Sequence, residues 1–207
     1  MSIIARRTFS LSPLGAFPFR VFGAGSPVAL PFRQVHLDFH TSEEIPNVGV
    51  DFDGREFAGI LKAARVNSIN VFAKCHHGWA YYDTQIAHRH PNLKLGLDML
   101  GEMVMHCIAS GIDVPYYYSL VWDVRVARSN PEWRMLNRDG SVIGGIPGDA
   151  WPWICMNSPY LDLVARANEE LIGKYKVKGA WFDILKPGTG TNLGQPSQRH
   201  FCHNLDL

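Results

Sequence analysis

GAWFDIL (179–185) sets one carboxylate, Asp183, into an otherwise apolar and aromatic run. A charged group at the end of an apolar strand is costly unless it is paired or has a function. In (β/α)-barrel enzymes the working side chains stand at the C-terminal ends of the strands. The residues before this run have the matching order. Ser158-Pro159 reads as a helix start, and LDLVARANEELIGKY (161–175) continues it. DVPYYYSLVW (113–122) is rich in aromatic and β-branched residues and predicts a strand. LDMLGEMVMHCIASG (97–111) repeats apolar residues at helical spacing and ends on Gly111, where a left-handed residue fits. SINVFAKC (68–75) predicts another strand, and FAGILKAARV (57–66) a helix that Asp51 or Asp53 caps. QVHLDFH (34–40) alternates with period two, which predicts the first strand.

Strand and helix alternate four times, which predicts an α/β fold with a parallel sheet. No glycine-rich phosphate loop follows the first strand, and polar residues gather at the strand ends. Both features favour a TIM-type (β/α)-barrel over a doubly wound sheet. A barrel takes about 250 residues in eight units. The sequence holds about four, so the expectation is an N-terminal half barrel over residues 33–187. Residues 1–32 read as a poorly ordered, Arg-containing leader and residues 188–207 as an irregular tail. A half barrel leaves two strand edges open, so self-association is expected.

Bulk properties exclude other classes. The 207 residues are 46% hydrophobic and 19% charged, with a formal net charge of +1. Such a balance offers no field to gather nucleic acid or anionic lipid. No apolar run reaches the roughly 20 residues that span a bilayer. The four cysteines are scattered, without a C-x-x-C pair, and read as reduced thiols, which favours a cytoplasmic setting. No cofactor is implied.

The strand ends collect His36, Asp38 and His40 from the first strand, and Lys74, His76, His77 and Trp79 from the second. Tyr117, Tyr118, Ser119 and Trp122 come from the third, Trp181 and Asp183 from the fourth, and Trp151, Trp153 and Asn157 from an intervening loop. Sugars present hydroxyls at their rims and C–H patches on their faces. Planar aromatics interleaved with His, Lys and Asp suit both, so a carbohydrate is the expected partner. In retaining glycosidases one carboxylate attacks the anomeric carbon and a second serves as acid and then base. Asp183 is the expected nucleophile. Asp38, Asp83 and Asp123 qualify as its partner by residue type only.

FAKCHHGWAYYDT (72–84), IDVPYYYSLVWD (112–123) and GAWFDIL resemble, in order and rough spacing, three strand motifs of the α-L-fucosidases of glycoside hydrolase family 29. The resemblance covers about residues 34–187. WPWICMNSPY (151–160) and the ending Asp-Ile-Leu are closer to a related glycosyl hydrolase family described only as fucosidase-like. The resemblance implies Asp183 as nucleophile, His76 as a ligand of a sugar hydroxyl, and His40 and Trp79 as pocket lining. Lys74, His77, Tyr118, Trp122 and Trp181 complete the expected substrate-binding set. Two positions depart from the pattern: Cys75 replaces the first motif histidine, and His77 stands where an aspartate is usual. These changes bear on sugar specificity more than on the reaction class. The family's acid/base comes from beyond the fourth strand.

Two other readings compete. His36, Asp38 and His40 are a zinc-type ligand set, which would suit a metal-dependent hydrolase on the same barrel. Alternatively, the chain binds sugar without turning it over.

Overall fold

The computed structural model describes residues 31–137, 139–145 and 151–184. The chain divides into Met1–Leu30 and Pro31–Leu207, and every described residue belongs to the second unit. The expected tail, and the leader apart from Pro31 and Phe32, lie outside the described residues.

In chain order the elements are β1 (Gln34–His36), α1 (Gly54–Ala63), β2 (Ser68–Lys74), β3 (Trp79–Ala80), β4 (His88–Arg89) and α2 (Met99–Ala109). These are followed by β5 (Pro115–Ser119), α3 (Val124–Ser129), a 3₁₀ turn (Pro131–Trp133), α4 (Tyr160–Lys174) and β6 (Gly179–Asp183). Asp53, not Asp51, caps α1 by accepting the Glu56 N–H at 2.8 Å. Asp98 caps α2 in the same way, through Gly101 N–H at 3.0 Å. Gly111 takes the left-handed conformation, with φ +76°. At the start of α4 the Ser158 hydroxyl accepts the Tyr160 N–H at 3.3 Å, while Pro159 caps nothing with its side chain.

The four strands β1, β2, β5 and β6 run parallel and lie side by side in their order along the chain. That order has no reversal, unlike a doubly wound sheet. With right-handed crossovers it puts the connecting helices on one face. The Tyr116 hydroxyl reaches α4 on that face, donating to Asn168 Oδ1 at 2.7 Å. The result is a mixed α/β sheet, because β3 folds back antiparallel to β2 with Lys74 opposite Ala80, and β4 pairs with β3.

Two details differ from the sequence expectation. β1 stops at His36 rather than His40, and Phe39 beyond it packs on Phe72 and Tyr81, each with ring centres 4.8 Å apart. The second is a β-bulge in β2. Phe72 pairs with Tyr117 but Lys74 pairs with Tyr118, so Ala73 is one residue extra. A bulge re-aims the side chains beyond it. Phe72 therefore shares a face with Tyr117, stacked at 3.9 Å, while Lys74 turns to the helix face with Tyr118.

Cys155 is disulfide-bonded, where the sequence suggests a reduced thiol, whereas Cys75 and Cys107 are free and buried. Among the described residues no helix is long and apolar enough to cross a membrane.

Candidate active site

Strand pairing decides which polar residues meet. β5 and β6 pair with Tyr117 opposite Trp181 and Ser119 opposite Asp183, which places all four on one face of the sheet. His36 joins them from β1, its ring 5.7 Å from those of Phe72 and Tyr117 and 5.9 Å from Trp181.

Asp183 is held at both oxygens. The Tyr117 hydroxyl donates to Oδ2 at 2.7 Å and the Ile184 N–H to Oδ1 at 2.9 Å. Burial, and next the Asp183 carboxylate, push the Tyr117 phenol far above its ordinary range, so it remains a donor. Two histidines lie within electrostatic reach of Asp183 and stack on each other, His40 and His76, with ring centres 3.8 Å apart.

Their hydrogen bonds fix where the protons sit. The Ser119 hydroxyl gives its proton to the Trp122 carbonyl at 2.8 Å, so toward His76 Nδ1, 2.7 Å away, it accepts. His76 is then the Nδ1–H tautomer, with Nε2 a lone pair. Its backbone N–H donates to His40 Nδ1 at 3.1 Å, so the His40 proton is on Nε2, 3.3 Å from Asp38. Burial, and then the neighbouring His40, hold the His76 imidazole down at about 3. His40 and His77 are also lowered, mainly by burial. At neutral pH all three are uncharged.

Tryptophans wall this group. Trp122 meets His76 edge-on at 4.9 Å and stacks on Trp151 at 6.0 Å. Trp151 lies 5.2 Å from His76 and 4.9 Å from His77. The Trp122 indole N–H has no partner among the described residues. Trp181 is 58% exposed beside His36.

Of the expected site residues, the structure thus brings together Asp183, His40, His76, His77, Trp122 and Trp181. It places three elsewhere. Lys74 is turned away by the bulge and buried in an ion pair with Asp123, 2.6 Å away. Tyr118 lies beneath that ammonium, its ring 5.0 Å from Lys74 Nζ. Trp79 is held in β3 by Glu43, which accepts its indole N–H at 3.1 Å, and Arg125 covers its ring. Tyr117, Ser119 and Trp151 belong to the site but were absent from the expected substrate-binding set. Pairing with β6 selects Tyr117 and Ser119, and Trp151 comes from the intervening loop.

The zinc-type set does not converge. His36 Nδ1 faces the Asn70 amide at 2.9 Å, and His40 turns to His76 and Asp38. Among the described residues no group of three or more His, Cys, Asp or Glu could hold a metal ion.

Residues 53–184 match the family described as hypothetical glycosyl hydrolase 6. Among solved structures, α-L-fucosidase isoenzyme 2 from Paenibacillus thiaminolyticus is 36% identical, with a TM-score of 0.73 over 84% of this chain and 25% of that one. A family 29 α-L-fucosidase from Bacteroides thetaiotaomicron is 25% identical, with a TM-score of 0.50 over 66% of this chain and 28% of that one. The Thermotoga maritima α-fucosidase in complex with fucose is 20% identical, with a TM-score of 0.50 over 66% and 29% of the two chains, and shares the fold. This chain therefore spans between a quarter and a third of the length of these relatives. No curated protein matches. With every described strand and helix except β1 inside the matched span, the chain belongs to the hypothetical glycosyl hydrolase 6 family, a fucosidase-like group of glycosyl hydrolases.

Proposed function

We propose that this chain is part of a retaining exo-glycosidase of the α-L-fucosidase type, built on a (β/α)-barrel, with Asp183 as its nucleophile. The observation that carries the reading is the hold on Asp183: Tyr117 and the Ile184 amide fix both carboxylate oxygens. Hydrogen bonds aim the group without neutralising it, and uncharged histidines beside it leave its charge uncompensated. Asp183 attacks the anomeric carbon, and the bond to the leaving group breaks as the ester to Asp183 forms. The His76 Nε2 lone pair accepts from a sugar hydroxyl, and the exposed Trp181 and the Trp122–Trp151 pair offer faces for its C–H surface.

The fucosidase resemblance puts the acid/base outside the described residues; of the three candidates by type, Asp38 alone stays beside the site, paired with His40 at 3.3 Å. Asp123 is locked to Lys74 behind the sheet, and Asp83 pairs with Lys174. Burial alone would raise the Glu43 carboxyl, but hydrogen bonds from the backbone, Trp79 and Arg128 override it and hold it at about 2. A group ionised at that level has no proton to give at neutral pH.

A substrate with a strongly acidic leaving group tests this reading, because its departure needs no proton donor. With 2,4-dinitrophenyl α-L-fucoside the chain should release a burst of one equivalent of phenol and carry the sugar on Asp183, located by peptide mass spectrometry. Sugar binding without any burst would identify a binding fragment instead. Among the described residues β1 and β6 are outer strands, and β6 exposes Trp181 and Phe182 on its two faces. Concentration-dependent self-association through these edges follows, and size-exclusion chromatography across a dilution series measures it.

A further inference from the structure

Lys74 and Asp123 lie behind the candidate site, yet a continuous set of bonds runs from them to His76. Lys74 Nζ donates to Asp123 Oδ2 at 2.6 Å, with both side chains 3% exposed. It also donates to the Tyr160 hydroxyl at 3.0 Å, whose own proton goes to the Leu120 carbonyl at 2.6 Å. The other Asp123 oxygen accepts the Val126 N–H at 2.8 Å and so caps α3. The remaining N–H groups of that first turn, from Val124 and Arg125, donate to the carbonyls of His76 and His77, each at 3.1 Å. One residue before Asp123, the Trp122 carbonyl takes the Ser119 proton and thereby sets Ser119 as an acceptor for His76 Nδ1. Both the backbone and the ring of His76 are therefore tied to the segment that Asp123 anchors.

We propose that the Lys74–Asp123 pair is a positioning device for His76: it fixes the first turn of α3 and the β5–α3 connection against β2, so that the imidazole keeps its Nδ1–H tautomer, with Nε2 3.4 Å from the Tyr117 hydroxyl. A buried ion pair is weak as a source of stability, since apolar residues of similar volume often replace it without loss, and its best-attested use is to specify one arrangement. Here the specified arrangement is the seat of a ring that burial keeps uncharged. Neither charged residue lies on the sheet face that carries Asp183. The consequence for sugar binding rests on the reading of His76 as a hydroxyl ligand, whereas the geometry of the tie does not.

Nitrogen-15 histidine NMR on the full chain, without sugar, tests the proposal, and His76→Gln identifies the signal. In the parent chain His76 should show the Nδ1–H pattern and stay neutral down to about pH 3. The double variant Lys74→Met/Asp123→Asn removes both charges, fills the lysine's volume and retains a side chain that caps α3. It should keep its circular dichroism while His76 becomes a tautomer mixture whose midpoint rises toward the ordinary 6.5. A folded double variant with an unchanged His76 overturns the proposal. Should the double variant not fold, Tyr160→Phe decides: removing the oxygen shared by Lys74 and Leu120 must move His76 part of the way, and an unmoved signal overturns the proposal. Absence of the phenol burst in the parent chain would count against the glycosidase reading alone, because no sugar enters this experiment.

Discussion

The Tyr117 hydroxyl donates to Asp183 Oδ2 at 2.7 Å, from the strand adjoining the one that carries the carboxylate. Tyr117 is itself seated by Phe72, stacked at 3.9 Å with an interplanar angle of 10°. β5 thus supplies the hydrogen bond, and β2 on its other side supplies the packing that aims it. Hydrogen bonds to a charged group are worth about 1.5–3 kcal/mol. In Tyr117→Phe the stack survives and the hydrogen bond is lost. Formation of the Asp183 ester should slow by roughly 10- to 100-fold with little change in melting temperature. An unchanged burst rate would show that the hydroxyl does not serve the carboxylate.

Acid should destabilise the fold through the site histidines. His76 sits at about 3 in the folded chain against an ordinary 6.5. Between those values the unfolded chain binds a proton that the folded chain refuses, so stability rises with pH. The contribution is complete above pH 6.5 and is lost as pH falls toward 3. His40 and His77, also lowered, act in the same sense. The loss from His76 should be on the order of a few kcal/mol across the window. Thermal melts between pH 7.5 and 4 measure it, and His76→Gln should flatten the curve. A melting temperature independent of pH over that range would contradict this account.

Two glycines should respond in opposite ways to alanine. Gly78 has φ +88°, and a Cβ there would stand 2.2 Å from Asp123 Oδ1. Gly78→Ala should cost about 2 kcal/mol or more, since neither the backbone nor the anchored carboxylate can yield. Gly59 lies inside α1 with nothing within 4 Å of an added Cβ. Gly59→Ala should stabilise by about 0.5–1 kcal/mol. Urea denaturation of both variants tests the pair, and equal effects would be inconsistent with these backbone geometries.

Trp151 makes ring contacts with His76, His77 and Trp122, so its removal should open one wall of the site. Trp151→Ala should weaken sugar binding about tenfold, as expected for the loss of one aromatic contact. Trp79→Phe should leave binding unchanged while losing the bond to Glu43, because the Trp79 ring meets His90 rather than these rings. Titration calorimetry with fucose distinguishes them, and equal losses from both would restore Trp79 to the site.

Much of this was legible in the sequence because local chemistry decides it. Periodicity gave α2, aromatic and β-branched content gave β5, Asp53 was one of two cap candidates, and Gly111 takes the conformation glycine favours. Asp183 stood out as a carboxylate at an apolar strand end. The errors have a common physical origin in strand register. Strict alternation puts Lys74 on the face of Phe72, but the extra residue Ala73 puts it on the other. Nor does the run of three tyrosines show which of them faces the site, until pairing with β6 sets Tyr117 beside Asp183 and sends Tyr118 toward the helices. Trp151 reaches the histidines from 74 residues beyond His77, a contact that no local pattern encodes.

The proton chain through the stacked histidines has a consequence for ligand choice. Ser119 spends its hydrogen on Trp122, His76 spends one on Ser119 and another on His40, and His40 points its own at Asp38. Every hydrogen in the chain is committed inward, so at Nε2 the site offers electrons and no hydrogen. A ligand atom seated there must bring its own. On the proposed reading of His76 as a hydroxyl ligand, a free hydroxyl meets that condition, while a methyl ether or a fluorine at the same carbon does not, and capped sugars should be rejected even where their shape fits.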